Sequence, residues 1–311
     1  MRQGKPTGPD MHVHIAGETL RNPVIAASGT FGYGVEFEEI VSLNRIGAFV
    51  TKGLSRAPME GNASPRILET AGGMINAIGL QNIGVQAFLQ DKLPHIRRIP
   101  GATCIANIFG YRLEDYFAVV RALNKAEGIL FYELNVSCPN TSEGGMVFGT
   151  DAHMLYELVI KVKAIAQRPL IVKLSPNVTS IANMAKAAVD AGADAISLVN
   201  TFVSLAIDIE TVQPRIANIT GGLSGPAIKP IALRMVHEVA RAVKVPVIGM
   251  GGIATAEDAV EFLMAGATAV QVGTANFADP RATENIANGL RKWCIRHSVA
   301  RVSDLTGSFM P

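Results

Sequence analysis

Short, nearly unbroken apolar runs alternate along the chain with segments of helical periodicity. The runs are Pro23 to Ala27, Ala48 to Lys52, Thr103 to Ile108, Phe131 to Ser137, Leu170 to Leu174, Ala195 to Asn200, Val245 to Met250 and Ala269 to Val272. Runs this short, without apolar/polar alternation, are the pattern of parallel strands covered on both faces. Between them, Asp151 to Ala166 puts Met154, Leu155, Leu158, Val159, Val162 and Ile165 on one helical face. Ile181 to Ala191, Ile228 to Val243, Ala256 to Ala265 and Thr283 to Cys294 read likewise. Thr150-Asp151 and Thr255 to Asp258 suit helix starts, and Gly192 and Gly266 suit helix stops. Ahead of these, His12 to Ile15 and Asn22 to Ala27 read as strands around a Gly17-Glu18 turn, an N-terminal β-hairpin.

Eight β/α alternations predict an α/β fold, a single (β/α)8 barrel over residues 1–311. A doubly wound sheet is the alternative, because periodicity does not report closure. Two connections, Ser137 to Thr150 and Thr201 to Pro226, are long for the fold. They are expected as long loops at the C-terminal face, where long loops carry function.

Composition narrows the class. Of 311 residues 49% are hydrophobic and only 17% charged, with a net charge of +2. That composition builds a large core and lacks the basic stripe of a nucleic-acid binder. Arg291, Lys292, Arg296, His297 and Arg301 read as cations near a helix C-terminus. No apolar run approaches the ~18 residues of a membrane span. Met1 to Asp10 has no apolar signal core, so a cytoplasmic protein is expected. Three scattered cysteines, Cys104, Cys138 and Cys294, make neither a disulfide framework nor a zinc site. His12 and His14 read as hairpin surface, and no metal site is expected.

In a barrel the chemistry gathers where strands end. The ends carry Ser28-Gly29, Lys52-Gly53, Asn107, Asn135 with Cys138, Lys173, Asn200-Thr201, Gly251-Gly252 and Gly273-Thr274. This is a set of amides and lysines without a carboxylate pair, which disfavours two-acid or metal-assisted hydrolysis and suits a flat, polar, anionic ligand. Glycines after the seventh and eighth strands let backbone N–H groups approach a phosphate. Gly249 to Ala254 matches G-x-G-x-x-A, but the following strand offers no acidic residue for a ribose, so it is not read as a nicotinamide site. Cys138, just past a strand end beside Pro139, is a candidate acid/base or nucleophile; Cys104 and Cys294 read as structural. Lys52 and Lys173 fit either a Schiff base or stabilisation of negative charge, and the phosphate site favours the second.

Several segments resemble the dihydroorotate dehydrogenases. They are Asn22-Pro23-Val24, Thr51-Lys52-Gly53, Gly61-Asn62, Pro65-Arg66, Asn76 to Asn82, Asn135 to Asn140, Gly221 to Gly225, Gly251-Gly252-Ile253 and Gly273-Thr274. Within that family Cys138, where the membrane-associated type has serine, separates the chain from that type, and the segment Gly53 to Asn82 and the Thr201 to Gly225 loop resemble the type 1B, NAD-linked catalytic subunit more than the fumarate-linked one. The resemblance implies one FMN at the barrel mouth, lined by Ser28, Lys52, Gly53, Asn107, Asn135, Lys173 and Val199, its phosphate on Gly225, Gly251, Gly252, Gly273 and Thr274. It implies dihydroorotate on Lys52, Asn76, Ala77, Ile78, Gly79, Leu80, Asn135, Asn140, Asn200 and Thr201. It implies Cys138 as the base at C5 and Lys173 as the stabiliser of anionic reduced flavin. It also implies a partner, an iron-sulfur flavoprotein electron-transfer subunit carrying FAD and a [2Fe-2S] cluster, in a heterotetramer around a dimer of this chain. The alternatives are a fumarate-linked dihydroorotate dehydrogenase, a dihydropyrimidine dehydrogenase-like flavoprotein, and a non-catalytic phosphate-binding barrel.

Overall fold

The computed structural model describes residues 8–137 and 148–310, so Cys138 and Asn140 lie outside the described residues. Eight parallel strands close into a barrel in chain order: Val24–Ala26, Ala48–Val50, Cys104–Ile108, Ile129–Asn135, Leu170–Lys173, Ala195–Leu198, Val247–Met250 and Ala269–Val272. The last pairs with the first through Val270↔Val24, Gln271↔Ile25 and Val272↔Ala26. That closure decides for the barrel over the doubly wound sheet. The strands are almost wholly buried, because side chains fill the interior and helices cover the outside.

Helices Ala152–Lys163, Ile181–Asp190, Lys229–Ala242, Ala256–Met264 and Ala282–Arg296 follow the predicted segments closely. Asp151 caps the first by accepting from Met154 N at 2.8 Å. Thr255 and Asp258 form a reciprocal capping box on the fourth. Two further helical segments cover the barrel, Leu113–Asn124 and a continuous stretch from Gly84 to Ile96 with a π turn at Phe88–Lys92. The alternation is incomplete after the first strand, where only the short 3-10 turns Val35–Phe37 and Leu43–Arg45 occur.

The hairpin differs from expectation. Val13–Ile15 pairs with Glu18–Leu20 across an Ala16-Gly17 turn, with both turn residues at positive φ. This is the geometry two-residue hairpins favour, and it frees Asn22 to Ala27 to enter the barrel. On its surface His12 bonds Asp10 (2.7 Å) and His14 bonds Thr19 (2.9 Å).

The connection from Thr201 to Pro226 is largely not loop. Phe202–Leu205 and Thr220–Ser224 join Gly73–Asn76 and Ile67–Thr70, from the connection after the second strand, in one four-stranded antiparallel sheet. A small hairpin, Ile207-Asp208 with Gln213-Pro214, extends from it. The sheet joins two connections at the C-terminal side of the barrel.

Candidate active site

Glycine shapes one side of the barrel mouth. Gly252 has φ +78°, and a Cβ there would lie 2.9 Å from Gly225 O; one on Gly251 would lie 3.2 Å from Val199 Cγ2. Thr274 Oγ1 hydrogen-bonds Ser224 Oγ at 2.8 Å. Val199, Gly225, Gly251, Gly252 and Thr274 therefore gather from three strand ends and the antiparallel sheet. A Cβ on Gly225, Gly251 or Gly252 would collide there, and the N–H groups of Gly251, Gly252 and Thr274 have no hydrogen-bond partner among the described residues, which suits a phosphate. Lys229 flanks Gly252 and is tied to Asp258 (2.6 Å) and Glu261 (3.0 Å), which braces the cradle. Gly273 differs: a Cβ there would meet nothing nearer than Ala27 at 3.6 Å, so sterics do not demand glycine. Gly273 lies against the loop that carries Ser28, which Ala27 N→Val272 O (2.8 Å) joins to the eighth strand.

Lys52 follows the second strand, half-buried, its N–H held by Gly32 O at 2.7 Å. Its ammonium has no hydrogen bond or ion pair among the described residues. Burial lowers its pKa below the ordinary lysine value, the charge of Arg66 pushes the same way, and Glu36 opposes both. Lys173 ends the fifth strand at 6% exposure. Its ammonium is likewise unpaired among the described residues. A buried cation without a protein partner is costly unless an anion joins it.

The asparagines form a chain from the barrel to the antiparallel sheet. Asn135 Oδ1 accepts from Ser137 N (3.1 Å) and Asn200 Nδ2 (3.3 Å), and Asn200 Oδ1 accepts from Thr201 N (2.8 Å). Thr201 packs on Gly222, whose carbonyl accepts from Asn76 Nδ2 at 3.3 Å. Beyond Asn76 the loop to Leu80 is clamped through its carbonyls. Asn62 N donates to Ile78 O (3.0 Å), Asn62 Nδ2 to Ala77 O (2.9 Å) and Asn82 Nδ2 to Leu80 O (2.9 Å). Gly79 (φ +70°) and Leu80 (φ +56°) turn the chain, and a Cβ on Gly79 would lie 2.6 Å from Asn62 N. The N–H groups of Ile78, Gly79 and Leu80 are left without a partner among the described residues, a row of donors suited to an anion.

Beneath the mouth lies a buried polar layer that the strand-end reading missed. Glu133, 0% exposed, sits within the fourth strand. It accepts from Asn107 Nδ2 (2.7 Å), Gln271 Nε2 (2.6 Å) and Ser197 Oγ (3.1 Å). Asn107 Oδ1 and Gln271 Oε1 are buried without a partner. Asn107 Oδ1 lies 3.1 Å from where a Cβ on Gly53 would sit. An unmet buried acceptor costs about 1–3 kcal/mol, so this layer fits a ligand that brings a donor.

A family model described as dihydroorotate dehydrogenase matches residues 10–293, which contain every candidate residue above. The chain belongs to the dihydroorotate dehydrogenase family. A relative from Geotalea uraniireducens, named dihydroorotate dehydrogenase B (NAD(+)), catalytic subunit, is 56% identical over 97% of this chain and 99% of its own. One of the same name from Geobacter sulfurreducens is 55% identical over 96% of this chain and 98% of its own. A third, from Solibacter usitatus and provisionally named dihydroorotate dehydrogenase A (fumarate), is 58% identical over 96% of this chain and 98% of its own.

Within a dihydroorotate dehydrogenase barrel the residues that sequence reasoning left out of the site are Glu133, Gln271 and Arg66. The first two are hidden inside apolar strands. Arg66 donates to Asn62 O (3.2 Å) and Gln81 Oε1 (2.7 Å), its own carbonyl accepts from Ala77 N (2.8 Å), and its positive charge pushes the Lys52 pKa down. Its signal was its place in the Pro65-Arg66 pair. Cys104 and Cys294 are buried, and burial pushes the Cys104 thiol up to about 12, which keeps it protonated. Among the described residues no helix is long and apolar enough to cross a membrane.

Proposed function

We propose that this chain is the catalytic subunit of an NAD-linked dihydroorotate dehydrogenase, oxidising (S)-dihydroorotate to orotate in de novo pyrimidine synthesis. The observation that carries the reading is the pairing of two sets of unsatisfied polar groups at one barrel mouth. One is the glycine cradle above unpaired amide oxygens. The other is the unpaired Lys52 ammonium together with the free N–H groups of Ile78 to Leu80, on the connection that follows it. A phosphate-bearing flavin answers the first and a carboxylate-bearing pyrimidine the second.

FMN, bound there, supplies the hydride acceptor. Gly225, Gly251, Gly252, Gly273 and Thr274 hold its phosphate, and Ser28, Gly53, Asn107, Asn135 and Val199 line its ring. Lys173 would offset negative charge that the ring gains on reduction. Lys52 and the free N–H groups of Ile78, Gly79 and Leu80 bind the substrate carboxylate, with Ala77 in the same loop, while Asn76, Asn135, Asn140, Asn200 and Thr201 hydrogen-bond the pyrimidine. Cys138 takes the C5 proton as the C6 hydride departs. The residues act within one catalytic domain spanning 1–311, in the cytoplasm.

The partner would be an iron-sulfur flavoprotein subunit carrying FAD and [2Fe-2S], which would supply the route for electrons to NAD⁺, in a heterotetramer built on a dimer of this chain. Exposed apolar residues concentrated on the 203–219 insertion, among them Ile209 at 82% and Val212 at 77%, support a protein-covered surface there. The Solibacter usitatus relative favours a second reading, in which fumarate is the acceptor. Steady-state assays separate the two. The NAD-linked reading expects dihydroorotate-dependent NADH formation only with the partner subunit present, and little turnover with fumarate. Rapid turnover of the isolated chain with fumarate would establish the second reading instead.

A further inference from the structure

Glu133 takes hydrogen bonds from three other barrel strands through Asn107, Ser197 and Gln271. A carboxylate accepts and does not donate. The Asn107 amide must therefore turn its NH2 toward Glu133 and its oxygen away. Ser197 and Gln271 both bond Oε2, which leaves Oε1 to Asn107 alone. The layer is satisfied on its carboxylate side and open at Asn107 Oδ1, which lies beside Gly53 at the end of the second strand.

We propose that Glu133 is a positioning residue that locks the Asn107 amide with its oxygen toward the flavin, so that the barrel presents an acceptor to an N–H of the bound ring. This rests on the FMN reading above. Glu133→Gln keeps the shape but supplies one NH2. Set against Asn107, that NH2 is accommodated by a single amide flip. Set against Oε2's partners, it requires both Gln271 and Ser197 to change. Asn107 is therefore the group that turns, and it then points donors at the flavin.

The test is FMN titration of apoprotein by quenching of flavin fluorescence, on wild type, Glu133→Gln, and the exchanged pair Glu133→Gln with Asn107→Asp. The single variant is expected to bind FMN about 10-fold more weakly, the scale of one lost hydrogen bond. In the exchanged pair the introduced glutamine donates to the introduced aspartate, whose second oxygen restores the acceptor. Recovery to within about 3-fold of wild type is expected. Unchanged affinity in the single variant, or a loss that the exchange does not repair, overturns the assignment. Neutron diffraction from the FMN-loaded wild type gives an answer that needs no folded variant. Asn107 deuterons on Glu133 support the assignment, and deuterons facing the flavin overturn it. Failure of wild type itself to take up FMN would refute the underlying reading, and this assignment with it.

Discussion

At Lys52 a positive charge is held half out of water beside a second cation, Arg66, with no anion of its own among the described residues. Its depressed pKa has two consequences of opposite sign. In the free protein the folded state releases this proton before the unfolded state does, so stability rises as pH climbs through the folded pKa toward the ordinary lysine value. An anionic ligand needs the proton retained, so its affinity falls over the same interval. Orotate affinity, followed by calorimetry, is expected to decline on the alkaline side below the ordinary lysine pKa. In Lys52→Met it should be weak and lose that decline; an unchanged pH profile in the variant would exclude Lys52 as the titrating contact. Reading strand ends located Lys52, Asn107, Asn135 and Lys173, because a polar residue that closes an apolar run announces itself. Glu133 and Gln271 do the opposite: they lie within such runs, and only closure of the barrel brings them to Asn107. The Cys138 and Asn140 assignments lie outside the described residues and stand on the resemblance.

The antiparallel sheet was hidden at the level of elements. Ile67–Thr70 and Phe202–Leu205 alternate between exposed and half-buried positions, and Thr220–Ser224 contains two glycines. None of these strands has the apolar run that marks a barrel strand, and their pairing is set by tertiary contact. Leu113–Asn124, by contrast, buries Tyr116, Val119, Val120 and Leu123 at helical spacing, so the signal that finds it is present in the sequence. The sheet's hairpin carries a local misfit: Val212, β-branched and 77% exposed, sits at φ +54°. A left-handed L-residue costs about 1–2 kcal/mol, and asparagine tolerates the region better. Val212→Asn is expected to stabilise the isolated chain by about 1 kcal/mol in denaturant unfolding, without changing the slope. A loss of stability would show that Val212 packs in solution more than its exposure indicates.

The whole molecule divides its labour by connection. The ends of the sixth to eighth strands and Gly225 build the glycine cradle, and the connection after the second strand supplies Arg66 and the free N–H groups of Ile78 to Leu80. The antiparallel sheet fixes these two halves relative to each other through Gly222↔Asn76 and Leu223↔Ile75. The barrel itself was legible because eight fully buried parallel strands leave eight apolar runs in the sequence. The pairing of two long connections into one sheet was not, because long-range register leaves little local trace. Exposed apolar side chains on the 203–219 insertion, Val203, Leu205, Ile207, Ile209, Val212 and Ile219, predict a covered surface there. The central claim is that one mouth binds FMN and a carboxylate-bearing dihydropyrimidine together. Its most direct test is the visible spectrum of the purified chain, loaded with FMN, before and after anaerobic dihydroorotate. Stoichiometric flavin whose oxidised bands bleach on addition is the predicted result; a folded chain that takes up no FMN, or whose bound flavin stays oxidised with the partner subunit also present, would contradict it.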